Sequence, residues 1–362
     1  MKILTVLGTR PEIIRLSIII KKLDSLADHV LVHTGQNYTS NLSDVFFEEM
    51  QIRRPDYILS QSQQSLGEQL ATMYKELETI LEQEKPEKVL VLGDTNSALS
   101  ALLAERMHIP VVHMEAGNRC FDLEVPEEKN RRVIDAISSL NLPYTPGSRE
   151  NLLREGLPAN RIVVSGNPIF EVLHHYDPNI QKSRILKDLK LKKQQYLLTT
   201  IHRAENVDYP DRLRIIMNGL SNTAEKLNKR MICSIHPRTQ SKIHQLKDVT
   251  LSPLVEFHEP FGFFDFATLE QHALLALTDS GTVQEECCLF HVPTVTVRRT
   301  TERPETVVCG SNIISGIDAK AIERSAVIMA SASKDWEFPE GYADLYVSDK
   351  VIKIILGGLE IV

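Results

Sequence analysis

Short apolar runs rich in β-branched residues alternate with helix-length segments along the whole chain. Few folds other than βαβ units laid into parallel sheets satisfy that alternation. In the first half the runs lie near Ile3–Leu7, Val30–Thr34, Val89–Leu92, Val111–Met114, Leu140–Tyr144 and Ile162–Ser165. In the second half they lie near Tyr196–Ile201, Met231–Ile235, Val255–His258, Leu275–Thr278, Thr294–Val297 and Asn312–Ile314. An equal split in 362 residues, at ~150 residues per domain, predicts two doubly wound domains in tandem. The join falls where Gly166-Asn167-Pro168 ends a run and the Lys-rich stretch from Asn179 to Gln195 follows. The expectation is an α/β chain of two Rossmann-like domains, residues 1–168 and 169–341, facing a central cleft. A terminal helix within 342–362 is expected to pack back on the first domain.

Charge and cysteine usage narrow the function classes. Lys and Arg number 41 against 48 Asp and Glu, a net charge of −7. Phosphate neutralisation needs a basic surface, so no nucleic-acid partner is expected. No stretch approaches the ~18 apolar residues of a membrane span. The Ile3–Leu7 run is too short for a signal-peptide core. The cysteines, Cys120, Cys233, Cys287, Cys288 and Cys309, match no zinc spacing. They read as reduced thiols in a cytoplasmic protein, and no metal is expected.

In open parallel sheets, ligands sit beyond the carboxyl ends of the strands. The residues there are unusually polar: Gly8-Thr9-Arg10, Gly93-Asp94-Thr95, Glu115-Ala116-Gly117-Asn118-Arg119, His202-Arg203, His236-Pro237-Arg238, Asp279-Ser280-Gly281-Thr282 and Arg298-Arg299. Gly8-Thr9-Arg10-Pro11 places a strand end against a helix start, with an arginine beside the free amides, which suits an anion. It is neither a Walker A loop nor a dinucleotide fingerprint, so no nicotinamide cofactor is expected. Arg15 follows along the same helix and either reaches the ligand or is solvated. Ser280 reads as an N-cap and Gly281 as a point of close approach for a phosphate. Glu286, farther along that helix, suits ribose hydroxyls rather than phosphate. Asp94, Glu115 and Glu127 are carboxylates that this fold would gather, and grouped carboxylates can divide acid and base roles. His202 at its strand end suits a diphosphate.

Gly8-Thr9-Arg10-Pro11-Glu12, Gly93-Asp94-Thr95, His113-Met114-Glu115-Ala116-Gly117, Pro126-Glu127-Glu128-Lys129-Asn130-Arg131, Thr278 to Glu286 and Thr300-Thr301-Glu302-Arg303-Pro304-Glu305 together resemble the non-hydrolysing UDP-N-acetylglucosamine 2-epimerase family. That resemblance implies two Rossmann-like domains of the glycosyltransferase GT-B type and a homodimer. It implies inversion at C2 of a UDP-N-acetylhexosamine by elimination and re-addition of UDP through a 2-acetamidoglucal, without NAD or metal. By the same resemblance Asp94, Glu115, Glu127 and His202 are catalytic. Arg10, Arg15, Arg131, His236, Phe266, Ser280, Gly281, Thr282, Glu286 and Arg303 bind substrate or UDP, Phe266 packing on uracil. The family's lysine in the first helix is Arg15 here, and the Gln-His pair of the bacterial regulatory site is Gln36-Asn37. Asn118-Arg119-Cys120-Phe121-Asp122, Thr34 to Tyr38 and His202 to Asn206 look more like the branch forming UDP-N-acetyl-L-fucosamine from UDP-2-acetamido-2,6-dideoxy-L-talose. A GT-B glycosyltransferase and a hydrolysing epimerase remain alternatives.

Overall fold

A computed structural model describes residues 1–36, 40–60, 65–235, 237–246 and 251–357. The chain divides into two compact units, Met1–His174 with Glu340–Val362, and His175–Pro339.

The first unit carries a six-stranded sheet in the order β3-β2-β1-β4-β5-β6. Its strands are β1 (Lys2–Leu7), β2 (Asp28–His33), β3 (Tyr57–Ile58), β4 (Lys88–Leu92), β5 (Val111–Met114) and β6 (Leu140–Leu142). All pairs are parallel. The strands are buried on both faces, which is why they read as continuous apolar runs. The second unit repeats the plan in the order β12-β11-β10-β7-β8-β9. These are β7 (Tyr196–Thr200), β8 (Arg230–Ser234), β9 (Val255–His258), β10 (Leu275–Thr278), β11 (Thr294–Thr296) and β12 (Asn312–Ile314), again all parallel.

The strand count matches the sequence reading, but one member differs. Ile162–Ser165 is not a ladder strand; it contributes a single bridge, Ile162 to Asn141. The sixth place belongs to Tyr57–Ile58, paired with Val32 and His33. A two-residue strand is too short to show a period.

The helix Val347–Leu356 belongs to the first unit, where it packs on the helix Arg10–Leu26. Lys22 Nζ donates to Ser348 Oγ at 2.7 Å, Lys88 Nζ to the Ile355 carbonyl at 2.6 Å, and the Ser348 amide to Glu171 Oε2 at 2.7 Å. The last contact keeps the helix Ile169–His175 with the first unit. All five cysteines are free, and no described helix is long and apolar enough to cross a membrane.

One turn sets the geometry after β5. Gly117 has φ +79°, and a Cβ there would stand 2.2 Å from the Ser148 carbonyl oxygen. The neighbour is backbone and cannot swing aside. Gly117→Ala therefore adds a clash to a left-handed strain of ~1–3 kcal/mol, and a thermal melt is expected to show a clearly lowered midpoint. An unchanged midpoint would show that the turn can open.

Candidate active site

In each unit the strand order reverses once, and ligands of such sheets bind outside the carboxyl ends at that reversal. In the first unit it lies between β1 and β4, flanked by Gly8-Thr9-Arg10 and Gly93-Asp94-Thr95. In the second it lies between β7 and β10, flanked by His202-Arg203 and Asp279-Ser280-Gly281.

A carboxylate already occupies the β1 turn. Glu12 Oε2 accepts from the amides of Gly8 and Thr9, both at 2.7 Å, and Oε1 accepts from Thr95 Oγ1 at 2.7 Å. Burial pushes Glu12 up to about 7 against those stabilising bonds. The two amides read as an anion site are therefore taken internally, by a capping interaction. What the turn offers an incoming anion is the exposed Arg10 side chain, held over the Phe46 ring with Cζ 5.6 Å from its centre.

Asp94 and Glu115 follow adjacent parallel strands, tied by the Gly93 amide bonding to the Met114 carbonyl at 3.0 Å. Asp94 Oδ2 accepts from Arg131 Nε at 2.9 Å and Nη2 at 2.6 Å, and its carbonyl accepts from Asn130 Nδ2 at 2.9 Å. Both donors sit on the helix Pro126–Ile137, whose first turn carries the half-buried Glu127. Arg131 is buried and also bonds Glu128 at 3.0 Å. Glu128, buried too, accepts from the Cys120 amide at 3.0 Å. Glu115 is buried and ion-paired with Arg15. Arg15 is thus no solvated helix residue; its Cζ lies 5.8 Å from the centre of the Tyr144 ring. Glu115 also holds φ +66°, a costly conformation for a residue with a Cβ and one that concentrates at functional sites.

Beneath this edge lies a chain of charges, buried at His113, Asp135 and Arg119 and ending at the exposed Glu155. His113 Nε2 faces the Gly93 carbonyl at 2.8 Å and Nδ1 faces Asp135 Oδ1 at 2.9 Å. Both partners are acceptors, an arrangement that favours a proton on each ring nitrogen. Burial opposes that charge, but Asp135 outweighs burial and the net shift is upward. Asp135 is held low: burial would raise it, and His113 and Arg119 overcome that. Arg119 Nη1 meets Asp135 Oδ2 at 2.7 Å, and Arg119 Nε meets Glu155 at 2.8 Å.

In the second unit Asp279 is the internal carboxylate. It accepts from the amides of His202 at 3.1 Å and Arg203 at 3.0 Å, and from Asn206 Nδ2 at 3.0 Å. The His202 ring is exposed, with Nδ1 3.4 Å from Asp279. Ser280 stands at the N-cap of the helix Gly281–Leu289, yet its side chain does not cap; its hydroxyl pairs with that of Thr282 at 2.9 Å. A Cβ on Gly281 would meet Glu302 Oε1 at 2.5 Å and lie 3.7 Å from Arg303 Cζ. The 300–305 segment is thus packed against the Asp279-Ser280-Gly281 turn. Arg303 is buried, with Nε 2.6 Å from Glu285. Glu302 receives Arg203 at 2.9 Å and Arg298 at 2.6 Å. Glu286 is buried on the same helix, and Phe266 is half-buried on the helix Phe263–His272. His236 and Asn37 lie outside the described residues. Among the described residues, no group of three His, Cys, Asp or Glu side chains could hold a metal ion.

A family model described as UDP-N-acetylglucosamine 2-epimerase matches residues 21–359, nearly the whole chain. This chain belongs to that family. The epimerase is 39% identical over 366 residues to the UDP-N-acetylglucosamine 2-epimerase of Methanocaldococcus jannaschii, covering 99% of this chain and 100% of that protein. It is 37% identical over 332 residues to the UDP-2,3-diacetamido-2,3-dideoxy-D-glucuronate 2-epimerase of Pseudomonas aeruginosa, covering 90% and 91%. A crystal structure of the M. jannaschii UDP-GlcNAc 2-epimerase in complex with UDP-GlcNAc and UDP aligns with a TM-score of 0.93 over 99% of this chain and all of that one, at 39% identity. The Neisseria meningitidis UDP-GlcNAc 2-epimerase bound to UDP-GlcNAc aligns at 0.89 and 28% identity, over 98% and 100%. The epimerase is accordingly an isomerase, and the expected plan of two Rossmann-like units is the one it has.

Sequence reasoning passed over Glu12, Glu128 and Asp135 as site-building carboxylates. Their only sequence signal is position, inside or close to motifs that end strands or open helices.

Proposed function

We propose that the epimerase inverts C2 of a UDP-N-acetylhexosamine by eliminating UDP and adding it back. A base takes the C2 proton while the bond from C1 to the diphosphate oxygen breaks, leaving a 2-acetamidoglucal and UDP. Re-addition forms that bond again as an acid delivers a proton to the opposite face of C2. The oxidation level is unchanged overall, so the reaction calls for acids, bases and firm holding of the departing diphosphate.

The observation that carries this reading is the carboxylate edge of the first unit. Asp94 and Glu115 follow neighbouring strands, each with its own buried arginine, and Glu127 opens the helix that supplies Arg131 and Asn130. We assign proton transfer to these three carboxylates and their orientation to Arg131 and Arg15. Arg10 and His202 are assigned to the diphosphate, Ser280, Gly281 and Thr282 to the phosphate at a helix start, Glu286 to the ribose and Phe266 to the uracil. Arg303 acts through the turn it packs on. His236 completes the nucleotide set from the resemblance alone.

The substrate pair favoured first is UDP-GlcNAc and UDP-ManNAc, supported by the names of whole-length relatives at 39% and 38% identity. The 6-deoxy-L-talose substrate is the second to test. Incubation with each UDP-sugar in D2O, followed by NMR, decides: reversible C2 inversion with deuterium at C2 is expected for the true substrate. Free hexosamine would make the enzyme a hydrolase, and no change with either sugar would sink the assignment. We also infer a cytoplasmic homodimer, for which light scattering should give twice the 41.0 kDa chain mass.

A further inference from the structure

Glu270 takes no part in the chemistry above, yet it is buried at 1% exposure on the helix Phe263–His272. Among the described residues, no N–H or O–H donates to either of its carboxyl oxygens. Its carboxyl instead stands beside that of Glu286, itself 6% exposed on the helix Gly281–Leu289, against which the helix Phe263–His272 packs. Two carboxylates cannot hydrogen-bond to each other without a proton between them. Burial, and then the neighbouring Glu286, hold Glu270 well above the usual carboxylate range. The other titratable groups at this point leave it unchanged. Tyr196 on β7 donates its hydroxyl to the Leu269 carbonyl at 2.6 Å, and burial pushes that hydroxyl upward. The Cys287 thiol is pushed up by burial and then by Glu270 and Glu286. Glu285, one residue before Glu286, is paired with Arg303.

We propose that Glu270 and Glu286 share one proton, carried on Glu270, and that this proton fixes the Glu286 carboxylate as the acceptor for the ribose diol of the nucleotide. The inference rests on the assignment of Glu286 to the ribose. A lone carboxylate has about four acceptor sites. Occupying one of them with the Glu270 O–H sets the plane of the group and leaves the rest for two sugar hydroxyls. If both residues ionised, their repulsion would turn Glu286 away. If Glu286 were neutral, it would accept weakly. Glu270 is thereby a positioning residue that never touches the ligand.

Calorimetric UDP titrations across pH, on wild type, E270Q and E270M, test this. In wild type, affinity is expected to fall as pH rises through the raised value of the pair. E270Q keeps a donor that cannot ionise, so it should bind near wild-type strength at neutral pH and lose that alkaline fall. The phosphate and uracil of UDP titrate alike in both proteins, so the difference profile isolates the pair. E270M removes the donor and should weaken binding by about tenfold or more, the worth of a hydrogen bond to a charged group. The infrared difference spectrum of ligand-free wild type minus E270Q should show the carbonyl band of a protonated carboxyl, with any Glu12 contribution cancelling, which does not depend on E270M folding. Wild type and E270Q with the same alkaline profile, or a difference spectrum lacking that band, would overturn the proposal. Comparing UDP with 2′-deoxy-UDP separates it from the reading it rests on. Wild type should prefer UDP and E286Q should lose that preference. Equal binding of both by wild type overturns the ribose assignment itself, and with it the orienting role. A preference that survives intact in E270M overturns the proposal alone.

Discussion

Asp94→Asn, Glu115→Gln and Glu127→Gln are each expected to lower kcat by ~10²–10⁴-fold, the usual cost of losing a general acid or base, with UDP affinity little changed. The surroundings of the three differ, and so should the details. Asp94 is held on one oxygen by Arg131. An amide in its place keeps an acceptor oxygen but loses the negative charge, so Arg131 is expected to lean toward Glu128. Glu115 is buried against Arg15. Glu115→Gln leaves an arginine charge uncompensated, so it should lower stability as well as turnover, and circular dichroism must show a folded protein before its kcat is read. Glu127 is half-buried in a first helical turn and should lose turnover without a stability cost. By contrast, Arg10→Ala and Glu286→Ala should weaken UDP binding directly. The two groups should separate when kcat is plotted against calorimetric UDP affinity. Near-normal turnover in all three carboxylate variants on the true substrate would refute the mechanism.

These carboxylates were legible because strand ends can be read from sequence. A parallel strand buried on both faces is a short apolar run, and the first polar residues after it lie at the ligand-binding edge. Asp94, Glu115, His202 and Asp279 all stand in that place. The two-unit plan was legible for the same reason. Tyr57–Ile58 was not, since two residues carry no period, and Ile162–Ser165 has a strand's composition but is held beside β6 by one bridge and two backbone hydrogen bonds, Val163 to Asn141 and Ser165 to Pro143, rather than a full ladder. The supporting charges were hidden for a different reason. Glu12 bonds the amides just before it, but its third partner is Thr95, 83 positions on. Asp279 reaches back 77 positions to His202, and Glu128 and Asp135 are spaced like solvated helix residues. Their burial is a consequence of chain crossing, which no local pattern records. The same holds for Glu270, which reads as one polar residue among others in Leu269-Glu270-Gln271-His272.

Asp135→Ala is expected to be the most destabilising single change in the first unit. Asp135 compensates two buried cations, His113 and Arg119, and also accepts from the Gly117 amide at 3.1 Å. Removing one partner of a buried pair typically costs about 3–5 kcal/mol, because the other charge is left in low dielectric. His113 then has no counter-ion and burial drives it neutral, so the positive charge behind its bond to the Gly93 carbonyl is lost. Asp94 follows Gly93 directly, so a fall in kcat should accompany the fall in stability. The pH dependence carries the sign. Asp135 has a depressed value, so its contribution is present above the ordinary Asp value of ~3.9 and is lost as pH falls through the depressed one. His113 has a raised value, so its contribution is full below the ordinary His value of ~6.5 and is lost as pH rises through the raised one. The stability gap between wild type and Asp135→Asn should therefore be widest between those two ordinary values and narrow on the alkaline side. Thermal midpoints of both proteins from acid to alkaline pH measure that gap directly. A gap that stays flat through neutral and alkaline pH would mean that His113 is neutral throughout, and that the Gly93 carbonyl is held without a charge behind it.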